Sequence, residues 1–311
     1  MISLSEIKEF FKGKITLNES LAQFTTFRIG GVADYYIEPV DAGDLLKMLI
    51  YLHDNQMPYY VMGNGSNILI SDDGIRGVVI NLELGFSYLK HENGIISAGA
   101  GVKIAKFVDF CIQNGYAGVE MLAGIPATIG GTLVMNAGCY GGEISTHVTE
   151  VTVIRNLQLK KLGRDECKFV YRNSGLKDAV ILEAGFQLPA GDAEELGERR
   201  TELMKHRNGS QPVEIPNAGC VFKNPKGNFA AKLIEECGLK SKSVGGAMVS
   251  PKHANFIVNY DKATAEDVTE LIRIVKNTVK EKTGYDLELE IKLIGFDNLE
   301  FNYPATMGSY K

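Results

Sequence analysis

Residues 123–145 read AGIPATIGGTLVMNAGCYGGEIS, with six glycines (Gly124, Gly130, Gly131, Gly138, Gly141 and Gly142) among small apolar side chains. A packed core strand has no need of so many glycines, whereas a wall pressed against a flat ligand does, because backbone without Cβ atoms can approach closely. Pro126 fixes one bend, and Asn136 offers an amide in an otherwise apolar stretch. Upstream, residues 57–71 read MPYYVMGNGSNILIS, which predicts a strand over 59–62, a turn over 63–67 and a second strand over 68–71. The GNGSN turn is not a Rossmann fingerprint: a strand rather than a helix follows it, and the third glycine is missing. A Walker A motif, ending in Gly-Lys-Ser/Thr, is absent. Two readings remain for the turn: a plain hairpin, or a nest of backbone N–H groups for an anion, with Ser66 and Asn67 adding donors. Two glycine-rich segments together suit a long dinucleotide lying between two small subdomains.

Around these segments the pattern is mixed. Leu45, Met48, Leu49 and Leu52 recur at helical spacing behind Asp41, a suitable N-cap, and Ile104, Phe107, Val108 and Cys111 do so before Gly115. Short strands are predicted at 77–81, 94–101, 150–156 and 179–188. A charged helix over 192–206 leads to a second region containing AGCVFKN (218–224), a helix near 230–237 and a strand at 254–259. Its last helix starts at Thr264, carries the stripe Val268, Leu271, Ile272, Val275 and Val279, and stops at Gly284. Residues 286–295, DLELEIKLIG, alternate as a strand, with Leu287, Leu289, Ile291 and Leu293 on one face and Glu288, Glu290 and Lys292 on the other. The pattern predicts two α+β regions with a boundary near 190–205, and no internal repeat.

Composition narrows the function. The 311 residues are 45% hydrophobic and 23% charged, ordinary for a globular protein. No apolar run approaches the roughly 18 to 20 residues a bilayer requires, so no membrane partner is expected. The stretch from Met1 to Lys14 lacks the apolar core of a signal peptide, which predicts a cytoplasmic protein. A net charge of −5 argues against nucleic acid as a partner, while leaving room for a local basic pocket. The five cysteines, Cys111, Cys139, Cys167, Cys220 and Cys237, form no disulfide framework and no CxxC pair; free thiols and no metal are expected.

Seven segments in collinear order carry a resemblance: TTFRIGGVADYYIEP (25–39), VMGNGSNILISDDG (61–74), SAGAGV (97–102), GIPATIGGTLVMNAGCYG (124–141), FVYRNSGLK (169–177), PNAGCVFKNP (216–225) and LELEIKLIG (287–295). Together they resemble the UDP-N-acetylenolpyruvoylglucosamine reductases, over roughly residues 18–296. The resemblance implies an α+β protein with an FAD-binding fold of the vanillyl-alcohol oxidase type. Its two subdomains, residues 1–195, would hold FAD non-covalently, and a C-terminal α+β domain, 196–311, would cover the substrate. By the same resemblance, Gly63, Asn64, Gly65, Ser66 and Asn67, with Gly124, Ile125, Thr128, Gly130 and Gly131, would hold the FAD pyrophosphate. Asn136 and Gly138 would lie near the flavin, and Lys292 stands where the family usually has a flavin-side arginine. Ala127 replaces a glycine common in the family, and the length matches its shorter subgroup.

The implied reaction uses NADPH as co-substrate and reduces the enolpyruvyl ether of a UDP-sugar in peptidoglycan precursor synthesis. Arg172 matches the catalytic arginine, Glu290 the catalytic glutamate, and Cys220 the proton donor, which is serine in many members. Strand alternation alone leaves Glu288 and Glu290 equivalent. Arg207, Lys223 and Asn224 are candidate substrate contacts, and a monomer or weak oligomer is expected. Alternatives are another FAD-linked oxidoreductase of this fold acting on an alcohol or sugar, a non-catalytic flavin or UDP-sugar binder, and a hydrolase or transferase using Cys220 as nucleophile with His206 or His253 as base. The tail after Gly295, FDNLEFNYPATMGSYK, matches nothing interpretable.

Overall fold

The computed structural model describes residues 4–296, so the tail named above lies almost wholly outside the described residues. A first sheet contains β1 (Lys14–Ser20), β2 (Val32–Glu38), β3 (Tyr59–Met62) and β5 (Ile75–Asn81) in the order β1-β2-β5-β3. β5 runs parallel to β2 and β3, and β1 runs antiparallel to β2. Helices α1 (Leu4–Phe10) and α2 (Ala42–Asp54) belong to this layer. The Asp41 side chain caps α2 by accepting from the Asp44 N–H at 2.8 Å. Its apolar stripe, Leu45, Met48, Leu49 and Leu52, is buried as the spacing predicted.

A second, antiparallel sheet contains β6 (Leu89–Glu92), β7 (Ile95–Gly99), β10 (Val148–Arg155), β11 (Gln158–Gly163) and β12 (Val180–Phe186), in the order β11-β10-β12-β7-β6. Beside it lie α3 (Ile104–Gln113), the short α4 (Ile129–Met135) and a small hairpin of β8 (Gly138–Cys139) and β9 (Gly142–Glu143). One continuous apolar core joins the α2 side of the first sheet to the second.

α5 (Ala193–Ser210) runs four residues beyond the predicted end at 206. It docks on the N-terminal half, through Arg199 on Glu120 at 2.9 Å, Arg200 on Asp109 at 2.8 Å, and a buried Leu196. The C-terminal region follows with β13 (Asn217–Cys220), β14 (Ser243–Val244), β15 (Ala247–Val249) and β16 (Phe256–Asn259), ordered β13-β16-β15-β14, plus α6 (Ala230–Glu236) and α7 (Ala265–Thr283). α7 begins at a Thr264 capping box and ends at Gly284 with φ +78°.

Three elements differ from the sequence reading. The strands flanking residues 63–67 do not form a hairpin. β3 joins the first sheet, whereas β4 (Ile68–Ile70) pairs in parallel with β17 (Lys292–Ile294), so the GNGSN turn spans two sheets. The glycine wall contains a helix, α4, which seven residues are too few to announce by periodicity; Thr128 caps one end and Asn136, at φ +43°, the other. Of the expected strand over 286–295 only β17 is regular. Leu287, Leu289 and Ile291 are nonetheless buried and Glu288 is exposed, so the alternation recorded burial rather than a ladder.

The N- and C-terminal regions are tied together. Phe27, Ile29 and Leu69 bury in the C-terminal core. The Asp72 carboxylate accepts from the first N–H groups of α7, Ala265 at 2.8 Å and Glu266 at 3.4 Å, supplying an anion to a helix N-terminus from a distant loop.

Candidate active site

The two glycine segments meet. Asn64 donates its Nδ2 to the Pro126 carbonyl at 2.7 Å, and a Cβ on Gly63 would lie 2.4 Å from Thr128 Oγ1. Gly65 sits at φ +59°, and a Cβ there would lie 2.3 Å from the Phe24 carbonyl oxygen, so only glycine fits. Among the described residues, the backbone N–H groups of Asn64, Gly65, Ser66 and Asn67 donate to no protein acceptor. Four unspent N–H groups in one turn make a positive concavity suited to a pyrophosphate.

The second segment contributes shape rather than donors. The Gly130 N–H is spent on the Ala100 carbonyl at 2.9 Å, and that of Gly131 points to Thr128 Oγ1 at 3.4 Å. Ile125 packs against the core, and the space a Gly124 side chain would fill is taken by Arg207 from α5, whose Cδ would stand 2.4 Å from that Cβ. Gly138 lies in the β8–β9 hairpin, where a Cβ would strike the Gly142 carbonyl. Asn136 is 1% exposed, and among the described residues its buried Oδ1 has no partner. A free N–H nest, a wall of glycine and an orphaned acceptor together fit a dinucleotide of the FAD kind.

The acidic residue of interest is held against this turn. The Glu290 N–H donates to the Val221 carbonyl at 2.8 Å, its own carbonyl accepts from Asn67 Nδ2 at 3.2 Å, and the Lys292 N–H donates to the Asn67 carbonyl at 2.9 Å. Glu290 is thus fixed between the end of β13 and the N–H nest. Its Oε1 lies 2.8 Å from Arg172 Nε, with side-chain exposures of 15% and 22%. At that separation the guanidinium and the carboxylate pair directly. Glu288 instead pairs with Lys223 and is 65% exposed. The structure therefore separates two glutamates that alternation left equivalent.

Arg172 sits at the corner of a tight turn closed by reciprocal bonds, Val170 N–H to the Asn173 carbonyl at 3.0 Å and Asn173 N–H to the Val170 carbonyl at 3.1 Å. Its φ of +55° is unusual for a residue with a Cβ and is the kind of strain found at functional sites. Cys220 ends β13 just after Gly219, whose φ of +78° accompanies a register shift against β16. The bulge re-aims the side chain that follows it.

Electrostatics gathers these groups into one site. Burial, then the negative charge of Glu290, pushes the Cys220 thiol up to about 12, against the pull of Arg172, Arg207 and a hydrogen bond from Asn255. Burial raises the Glu290 carboxyl as well, opposed by Arg172, Lys223 and Lys292. The Lys292 ammonium is lowered by burial and by Lys177 and Lys223, and is supported by Glu288 and Glu290. A thiol raised this far keeps its proton at neutral pH, which suits a donor and opposes a nucleophile. Alkylation of Cys220 by iodoacetamide at pH 8 should accordingly run at least a hundredfold slower than for free cysteine, and climb with pH toward about 12. Mass spectrometry of the 220-containing peptide across a pH series checks this; fast labelling at pH 7 would show a low thiol pKa instead.

Some expected contacts change role. Asn224 spends its Oδ1 on the Ala230 N–H at 3.0 Å, starting α6, and so is partly structural. Arg207 pairs with no carboxylate among the described residues. His206 contacts Tyr140 (3.3 Å between Nδ1 and the hydroxyl), and His253 packs edge-on against Phe256; neither bonds Cys220, so the nucleophile reading lacks its base. Sequence reasoning missed Lys177, which lies inside a quoted motif. It also missed Asn255, whose amide exchanges two hydrogen bonds with the Phe222 backbone, at 3.0 and 2.8 Å, beside Cys220. Among the described residues no His, Cys, Asp or Glu cluster is arranged for a metal, all five cysteines are free, and no helix is long and apolar enough to cross a membrane.

Residues 33–156 match the FAD binding domain family, and residues 211–294 match the family described as UDP-N-acetylenolpyruvoylglucosamine reductase, C-terminal domain. The chain is 44% identical over 305 residues to the UDP-N-acetylenolpyruvoylglucosamine reductase of Chloroherpeton thalassium, covering 95% of this chain and 98% of that protein. The chain belongs to the UDP-N-acetylenolpyruvoylglucosamine reductase family. A Listeria monocytogenes reductase of the same name is 42% identical over 286 residues, covering 91% and 96% of the two chains. The crystal structure of the Thermus caldophilus UDP-N-acetylenolpyruvylglucosamine reductase superimposes with a TM-score of 0.79 at 35% identity, covering 92% of this chain and 100% of that one. The expected fold, an FAD-binding domain joined to the C-terminal domain of this reductase family, is the one observed.

Proposed function

We propose that this protein is an FAD-dependent reductase that uses NADPH to convert the enolpyruvyl ether of UDP-N-acetylglucosamine to UDP-N-acetylmuramate, a peptidoglycan precursor. The observation that carries this reading is one cluster: Arg172 and Glu290 at 2.8 Å, Cys220 under the same charges, and Glu290 bonded through its backbone to Asn67 of the N–H nest. When bound, FAD supplies hydride, taken from NADPH, for the terminal vinyl carbon of the substrate. The residues of the chain manage charge and the proton. Arg172 grips the substrate carboxylate, on which negative charge builds as the hydride arrives. Glu290 orients that guanidinium and, adding its negative charge to the larger effect of burial, keeps Cys220 protonated. Cys220 then donates to the carbon next to the carboxylate, and the resulting thiolate is steadied by Arg172, Arg207 and Asn255. Arg207 and Lys223, with the Lys177 and Lys292 charges nearby, suit the diphosphate of the UDP-sugar, and Asn224 retains its amide N–H₂ for the same ligand.

Residues 1–195 serve as the FAD domain and 196–311 as the substrate domain, with α5 as a connector that packs on the first and carries Arg207 toward the second. A cytoplasmic monomer or weak oligomer, acting without nucleic acid or membrane, fits this role. The test is an anaerobic titration followed by absorbance. The purified protein should show a flavin spectrum, acid should release the flavin free of the polypeptide, NADPH should bleach the bound form, and the enolpyruvyl sugar should restore it. A bleached enzyme that an alcohol-derived carbonyl restores and the enolpyruvyl sugar does not would favour another oxidoreductase of this fold.

A further inference from the structure

α4 is a short rod of seven residues with a different functional turn at each end. At its start, Thr128 packs on Gly63 of the N–H nest, and Pro126 just before it receives the Asn64 amide. At its other end stands Asn136, 1% exposed and in the left-handed region. Its Nδ2 donates to Glu143 Oε2 at 2.8 Å and to the Val170 carbonyl at 3.1 Å. Two acceptors on one side settle which way the amide faces. The Val170 carbonyl is the one that also closes the four-residue turn with Arg172 at its corner. A second tie runs beside it: Ser174 Oγ donates to the Val134 carbonyl in the last turn of α4, at 2.9 Å.

The Arg172 backbone is strained and its side chain is long. Its guanidinium stays 2.8 Å from Glu290 only if the turn beneath it is held. The ties that hold it come from the end of the helix whose start packs on the candidate cofactor loop. Among the described residues the Asn136 Oδ1 is meanwhile left buried and without a partner, which a purely structural cap has no need to retain.

We propose that Asn136 is a positioning residue for Arg172: its amide ties the 170–173 turn to α4 and so holds the catalytic guanidinium in register with the cofactor loop. This rests on the reduction proposed above. The discriminating variant is Asn136→Gly, since glycine accepts a φ of +43° and the side chain is removed without straining the helix end. Stopped-flow measurement should show reoxidation by the enolpyruvyl sugar slowed at least tenfold more than flavin reduction by NADPH in the same variant. In an Arg172→Ala background the same substitution should slow reoxidation less than twofold further, because the residue through which it acts is gone. Independently of turnover, amide hydrogen exchange at Val170 and Asn173 should speed up in Asn136→Gly. Equal slowing of both half-reactions, full additivity with Arg172→Ala, or unchanged exchange would each overturn the proposal. Should wild type itself fail to be reoxidised by the sugar, the proposed reaction falls, and the exchange comparison still decides whether Asn136 holds the turn.

Discussion

Cys220→Ala should keep flavin binding and reduction by NADPH while losing reoxidation by the enolpyruvyl sugar by on the order of 10² to 10⁴, the usual worth of a general acid. The electron pair arriving on the vinyl carbon leaves charge at the carbon next to the carboxylate, and without a proton that species reverts. Cys220→Ser should recover most of the rate. A serine hydroxyl in the same place still carries a proton to donate, and the Arg172, Arg207 and Asn255 groups that act on the thiol are there to steady the anion it leaves. The measurement is stopped-flow reoxidation of pre-reduced Ala and Ser variants beside wild type. An Ala variant that reoxidises at the wild-type rate would remove Cys220 from the donor role and direct attention to another acid in the pocket.

Arg172→Lys should cost on the order of 10² to 10³ in turnover. An ammonium keeps the charge, but it cannot present two parallel N–H groups to a carboxylate, and it is a more strongly hydrated point charge. It also leaves Glu290, 15% exposed, beside a differently shaped cation. Reduction of the flavin by NADPH should suffer less, because the developing carboxylate charge belongs to the second half-reaction. Steady-state turnover together with separate half-reaction rates checks this. A Lys variant of near-normal turnover would show that Arg172 supports the fold of its turn and not the chemistry.

How much of this site can be read from the chain depends on the distance over which each signal acts. α2, α3 and α7 announce themselves because an amphipathic helix repeats its apolar face several times, and their caps, Asp41 and Thr264, are local chemistry. α4 does not, since two turns of glycine and small residues carry no period. The alternation in 286–295 shows which side chains are buried and which are not, but nothing about partners. Glu288 and Glu290 look alike there, and part company only when Lys223 meets the first and Arg172 the second. Asn224, a polar residue in a quoted motif, turns out to spend its acceptor on the start of α6.

The sequence by itself determined the family, the α+β class, the two glycine segments and the residue types able to carry charge and a proton, because motif order and short-range periodicity are properties of the chain. Only the tertiary structure decided that the GNGSN turn spans two sheets rather than closing a hairpin, since β3 pairs at 78–81 and β4 at 292–294, the latter far away in the chain. It also decided that Arg172, Arg207 and Glu290, from separate segments, come close enough for their charges to act on the Cys220 thiol. Acidity at such a site is set by burial and by neighbouring charge, and both arise only when distant segments pack together.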